Sequence, residues 1–113
     1  MSKISFEGIG ETVATFACGE SVAAGQVVKV SDGGKVDVCS AGERPCGVAL
    51  SAEDGYAAVQ LGGLASVPIS GEGVTAGWCK LSADGTGGMK QDASGGTDYL
   101  VVQVETSSAV ICL

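Results

Sequence analysis

Five cysteines, at positions 18, 39, 46, 79 and 112, are the residues of this sequence with the most chemistry to offer. Thiolates hold zinc or attack electrophiles, and both uses need partners close by. Here no two cysteines stand in C-x-x-C spacing and the chain has no histidine, so a zinc site would have to gather four scattered thiolates. The number is odd, and the start "MSKISFEGIGE" carries Lys3 without the apolar run of a secretory signal, which argues against a secreted disulfide framework. The five read as reduced thiols serving as small, buryable side chains, with Cys39, Cys79 and Cys112 in strand-like surroundings.

The other reactive types lead to the same place. Without histidine the commonest general base is missing, and neither a Ser-His-Asp nor a Cys-His device can be assembled. Glu53 and Asp54 are adjacent in "SAEDGY", where two carboxylates at a turn are expected to be solvated rather than catalytic. The phosphate-cradling G-x-x-x-x-G-K-[ST] pattern does not occur. "SADGTGG" and "QDASGGTD" carry aspartates but lack the alternating ladder that converges several oxygens on calcium, so they read as acidic turns. Lys90 in "GGMKQD" has Met89 before it but Gln91 after it, which departs from the Met-Lys-Met hairpin tip of biotinyl and lipoyl carriers. No catalytic residue, cofactor or metal site is expected, and the protein is not expected to be an enzyme. Trp78, the only tryptophan, has two readings: a buried aromatic core element or, if exposed, the anchor of a subunit interface. Sugar stacking would want a second ring nearby in sequence, and none is there.

The elements that hold these residues follow a period of two. Val36 and Val38 alternate with Lys35 and Asp37; Ala65, Val67 and Ile69 share a face in "LASVPIS"; Leu100, Val102 and Val104 do so in "YLVVQVE". Nineteen glycines punctuate the runs, and no stretch of ten to twelve residues carries a helical stripe. The expected fold is all-β, built of short strands.

One phrase is written twice. "GESVAAG" from Gly19 and "GEGVTAG" from Gly71 agree at five of seven positions. Each leads into an apolar run, a lysine (Lys29 or Lys80), a serine and an Asp-Gly turn (Asp32-Gly33 or Asp84-Gly85). A valine anchors the loop, Ala-Gly turns the chain, a strand follows, and Asp-Gly reverses it into a hairpin. Two such units imply a small barrel or β-clip with an internal pseudo-two-fold repeat. Trp78 takes the place of Gln26, so one large residue breaks the repeat.

Length and charge bound the rest. A chain of 113 residues is one domain and buries roughly 65% of its unfolded surface. With only Phe6, Phe16, Tyr56, Trp78 and Tyr99 as aromatics, its core must come from Val, Leu, Ile and Ala, and self-association is expected to add burial. A net charge of −7 excludes the positive footprint that a nucleic acid or an anionic membrane requires. No apolar run approaches the length of a membrane span.

The order of these phrases resembles a known family. "VAAGQVVKVSDGGKVDVCSAGERPCGVALS", followed by "AAVQLGGLASVPISGEGVTAGWCKLSADGTGG", is similar to the head-decoration, or capsid-cement, proteins of tailed bacteriophages, including relatives of the lambda decoration protein. The likeness covers roughly residues 13 to 90. It implies a protein made in the host cytoplasm that sits as homotrimers on the virion exterior, at three-fold and quasi-three-fold positions of the expanded head. Its partner there is the major capsid protein, and its work is to stabilise the shell. It also implies an N-terminal arm, residues 1 to 12, that adds a strand to the capsid, with Ile4 and Phe6 as the candidate contacts, ahead of a β-clip or barrel domain over 13 to 113. For Ile4 and Phe6 the alternative is an edge strand packed on the domain's own core. For the whole chain the alternative is a non-enzymatic β-rich module that binds glycans or a host surface.

Overall fold

The computed structural model describes residues 11–113, and every regular element among them is a β-strand. The first half contains β1 (Thr12–Cys18), β2 (Val27–Asp32), β3 (Lys35–Val38), β4 (Gly47–Glu53) and β5 (Tyr56–Gly62). They close into a barrel in the order β1-β3-β2-β4-β5, with β5 pairing back on β1. The second half contains β6 (Leu64–Pro68), β7 (Gly77–Ala83), β8 (Met89–Gln91), β9 (Thr97–Val104) and β10 (Ser108–Cys112). Its sheet runs β6-β10-β9-β7-β8. A parallel bridge between Ile69 and Met89, with Ser70 N–H donating to the Met89 carbonyl at 2.9 Å, brings its two ends together.

The two halves therefore have one topology. Read around the ring, β1-β3-β2-β4-β5 becomes β6-β8-β7-β9-β10, and the parallel pair Cys18–Val36 becomes Ile69–Met89. A bulge at Leu50 in β4 recurs at Val102 in β9, each facing the last strand of its unit. The expected all-β, barrel-like fold with an internal repeat is what the chain adopts, and the repeat reaches well beyond the duplicated phrase. That phrase supplies only β2 and β7 with the turns on either side. Its Asp-Gly turns lead into β3 and β8, where Gly34 and Gly87 take φ of 72° and 96°, a region glycine enters without strain.

Two apolar clusters fill the molecule. Val22, Val28, Val36, Ala49, Ala57 and Val59 pack inside the first barrel. The second cluster holds Ala65, Val67, Leu81, Met89, Val101, Ala109 and Ile111, and it also takes in Val27, Cys39 and Val48 from the first unit. Val27 and Val48 thus point out of their own barrel into the other unit, and burying each contributes about 1.5–3 kcal/mol. The backbone joins the units as well. Val27 N–H donates to Gly87 O at 2.9 Å, Gly42 N–H to Ala83 O at 2.8 Å, and Ala83 N–H to Glu43 O at 2.9 Å.

One detail departs from the sequence reading. Tyr99 and Val101 form the inward face of β9 and Leu100 looks outward, but the bulge at Val102 shifts the alternation, so that Val104, opposite the buried Ala109, does not share the face of Leu100. A further strand, β10, follows β9.

Gly47 marks the tightest point of the first barrel, since a Cβ there would run into the Gln60 carbonyl and the Val59 side chain. Gly33 faces open space and has no positive φ. Gly47→Ala should lower unfolding stability by about 1–3 kcal/mol in urea melts, whereas Gly33→Ala should stay within about 0.5 kcal/mol of the parent.

Candidate functional site

The loop Ser40–Cys46 leaves β3 and straps the first unit to the second. Its shape is set by Glu43, whose Oε1 accepts from Lys29 Nζ at 2.7 Å and from Ser40 N–H at 2.6 Å. The Lys29 hydrogen bond, reinforced by the Ser40 amide, holds the Glu43 carboxyl below the usual range, and the same bond raises Lys29. Beyond it Arg44 comes beside Tyr99 of β9; burial pushes the Tyr99 phenol up and Arg44 partly offsets this. Cys46 returns the chain to β4, its N–H donating to Val28 O at 2.8 Å.

Between strap and barrels lies an open cleft of about 600 Å³, lined among others by Lys29, Val30, Arg44, Leu61, Tyr99 and Leu113. Its charge is one carboxylate against two cations, with Lys29 already paired. That makes it a weakly cationic, half-apolar recess without a nucleophile and base in contact.

The acidic loops are occupied by their own backbone. Asp84 Oδ1 accepts from Thr86 N–H at 2.8 Å and Gly88 N–H at 3.1 Å, and its Oδ2 takes the Ser70 hydroxyl at 2.8 Å. Desolvation pushes Asp84 up, but these hydrogen bonds together outweigh it and hold the carboxyl low. Asp92 is held low by Gly95 N–H and then by the Ser82 hydroxyl, both at 2.9 Å. Among the described residues no three metal-ligating side chains converge. Lys90 lies within β8 opposite Ser82 rather than at a hairpin tip.

All five cysteines are free thiols. Cys39 and Cys79 are buried, Cys18 and Cys46 half-buried, and Cys112 exposed. Burial, with the Glu43 charge adding to it, pushes the Cys39 thiol up to about 11.

Ile4 and Phe6 lie outside the described residues. Trp78 is 74% exposed on β7, so it is not the aromatic core. The position is open to a partner, and its cross-strand neighbour is Leu100. The pairing of strap residue Arg44 with Tyr99 of β9 escaped the sequence reading, since fifty-five positions separate them and only the packing of one unit on the other brings them together. No protein-family model and no curated protein matches the chain.

Two measurements check this chemistry. Asp84 and Asp92 have folded-state pKa values below their unfolded ones, so the unfolded chain binds more protons in acid. Their stabilisation is complete above the ordinary carboxylate range and is lost as pH falls through it. Urea midpoints taken from about pH 7 down to about pH 3 should drop, and Asp84→Asn or Asp92→Asn should flatten the slope. In iodoacetamide labelling read by mass spectrometry, Cys39 and Cys79 should stay unmodified in the folded protein and react once denaturant is added.

Proposed function

We propose that this protein is a capsid decoration protein of a tailed bacteriophage, binding as trimers to the outside of the expanded head at three-fold and quasi-three-fold positions. The observation that carries the reading is the order of phrases over residues 13 to 90, which resembles that of the family, in a chain that folds as two equivalent five-stranded units. Its surface supports it further: acidic turns closed by their own hydrogen bonds, and large apolar side chains such as Trp78 and Tyr56 turned outward. These are features of a molecule that acts by fitting against other proteins. Each trimer would bridge several capsid subunits, and stabilisation follows from binding the expanded lattice better than the unexpanded one.

The test is co-sedimentation of the purified protein with cognate heads that lack it, before and after expansion. Saturable binding to expanded heads alone, at three copies per site, is the expected result. Absence of binding to either form ends the reading and turns attention to glycan or host-surface recognition. A truncation ending before Thr12, whose pairing with Gly62 it leaves intact, should fold and lose head binding if the arm attaches.

A further inference from the structure

Three Asp-Gly pairs stand in the sequence, at Asp32-Gly33, Asp54-Gly55 and Asp84-Gly85. Each lies in the reversal between two neighbouring strands: β2 and β3, β4 and β5, β7 and β8. Such a pair has a chemistry of its own. The carboxyl carbon of the aspartate and the nitrogen of the next residue can join into a five-membered imide ring, and glycine puts no side chain in the way. What decides is whether the fold brings those two atoms together.

The three pairs are held differently. At Asp32 the carboxylate accepts the N–H of Gly33 itself, with Oδ1 at 2.8 Å from the nitrogen. That contact draws the nitrogen beside the carboxyl carbon, as a near-attack arrangement requires. Asp32, Gly33 and Gly34 are exposed, a Cβ at Gly33 would meet nothing, and no other hydrogen bond or ion pair among the described residues holds the Asp32 carboxylate. At Asp84 the carboxylate is turned past its neighbour. Its Oδ1 takes the Thr86 N–H at 2.8 Å, the Thr86 hydroxyl at 2.9 Å and the Gly88 N–H at 3.1 Å, and its Oδ2 takes the Ser70 hydroxyl at 2.8 Å. Swinging it back onto Gly85 would give up all of these bonds. At Asp54, whose backbone is left-handed with φ 52°, no hydrogen bond joins the carboxylate to the Gly55 N–H. Among the described residues, Asp32 alone of the three is set against the nitrogen it can attack through.

We propose that Asp32-Gly33 is a site of spontaneous backbone modification, at which the folded protein converts aspartate to isoaspartate through a succinimide while Asp84-Gly85 is protected. The Gly33 nitrogen attacks the carboxyl carbon of protonated Asp32. A C–N bond forms, and the hydrogen of that nitrogen leaves with the carboxyl hydroxyl as water. Water then opens the ring. Breaking the bond from the nitrogen to the original main-chain carbonyl carbon leaves the chain running through the side chain, as isoaspartate; breaking the new bond restores aspartate. No other reactant is consumed, and the mass ends where it began.

The conversion adds a carbon to the backbone where there is little slack. Asp32 is paired with Lys35, and the Gly34 carbonyl accepts the Ala17 N–H at 2.9 Å. Beside that bond, β1 meets β3 through two register pairs, Ala17 with Lys35 and Cys18 with Val36, and this contact closes the first barrel. A longer turn moves Gly34 off Ala17 and loosens the closure. The modification therefore records the age of the molecule in one seam of its fold, whatever the protein binds.

The experiment follows the wild-type full chain, folded in one sample and unfolded in guanidinium chloride in another, at mildly acidic pH and body temperature for several weeks. Trypsin cuts after Lys29 and Lys35 and after Lys80 and Lys90, so residues 30–35 and 81–90 each report one Asp-Gly pair. Mass spectrometry with electron-transfer fragmentation distinguishes isoaspartate from aspartate in each peptide. In the folded protein isoaspartate should build up at position 32 at least about tenfold faster than at position 84, and in denaturant the two should convert at similar rates. Similar rates in the folded protein, or a faster position 84, overturn the proposal, as does a position 32 that converts only in denaturant. Gly33→Ala, which sets a methyl beside the attacking nitrogen in open space, should slow conversion at position 32 about tenfold, and an unchanged rate overturns the proposal too. Separated from the parent by hydrophobic-interaction chromatography, the isoaspartate form should unfold at a lower urea concentration; coincident midpoints would sink the loosened closure.

Discussion

Each half of this protein is too small to finish its own core, and the structure is organised around that deficit. A unit of about fifty residues built from Val, Ala and Ile buries too little surface to be secure by itself. The first barrel closes, yet it is left with an apolar outer face at Val27 and Val48, which becomes part of the second unit's core. The strap from Ser40 to Cys46 adds backbone pairing to Ala83, and Arg44 reaches Tyr99 across the seam. Tight glycine positions such as Gly85, whose Cβ would press on Ala41, let the units approach to backbone distance.

The polar side chains serve the same architecture. Asp84 and Asp92, which stand in the loops with the most metal-like composition, are committed to the amides of their own turns. Glu43 is committed to the strap. Short strands need sharp reversals, and each reversal leaves unpaired amides that a carboxylate can satisfy. The acidic character of the chain is therefore partly a by-product of having so many turns.

Much of this was legible in the residues, and the limits are physical. Alternation in "LASVPIS" placed Ala65 and Val67 correctly, both now buried, and the duplicated phrase located the two central strands. The equivalence of β1 with β6 and of β4 with β9 was not legible, because it resides in pairing register and bulge position while the side chains have diverged. The alternation in "YLVVQVE" does not hold to its end, because the bulge at Val102 sets Val104 opposite the buried Ala109, and such a bulge leaves no mark in the side-chain pattern. Trp78 could be read either way because an outward face that another unit covers is as apolar as a core face. Val27, opposite Val48, holds the place in β2 that Trp78, opposite Leu100, holds in β7; Val27 is buried and Trp78 is not, a difference made by the neighbouring unit rather than by either strand.

Strand pairing never crosses between the halves, and only Gly63 separates β5 from β6. On the ribosome this has a consequence. All the pairings of the first barrel are available once residue 62 has cleared the exit tunnel, so it can close while its partner is still being synthesised. For that interval its Val27–Val48 face is bare and sticky. The nascent chain therefore passes through a state in which the surface meant for its own second half is offered to any neighbouring polypeptide, and prompt translation of the next fifty residues is what hides it.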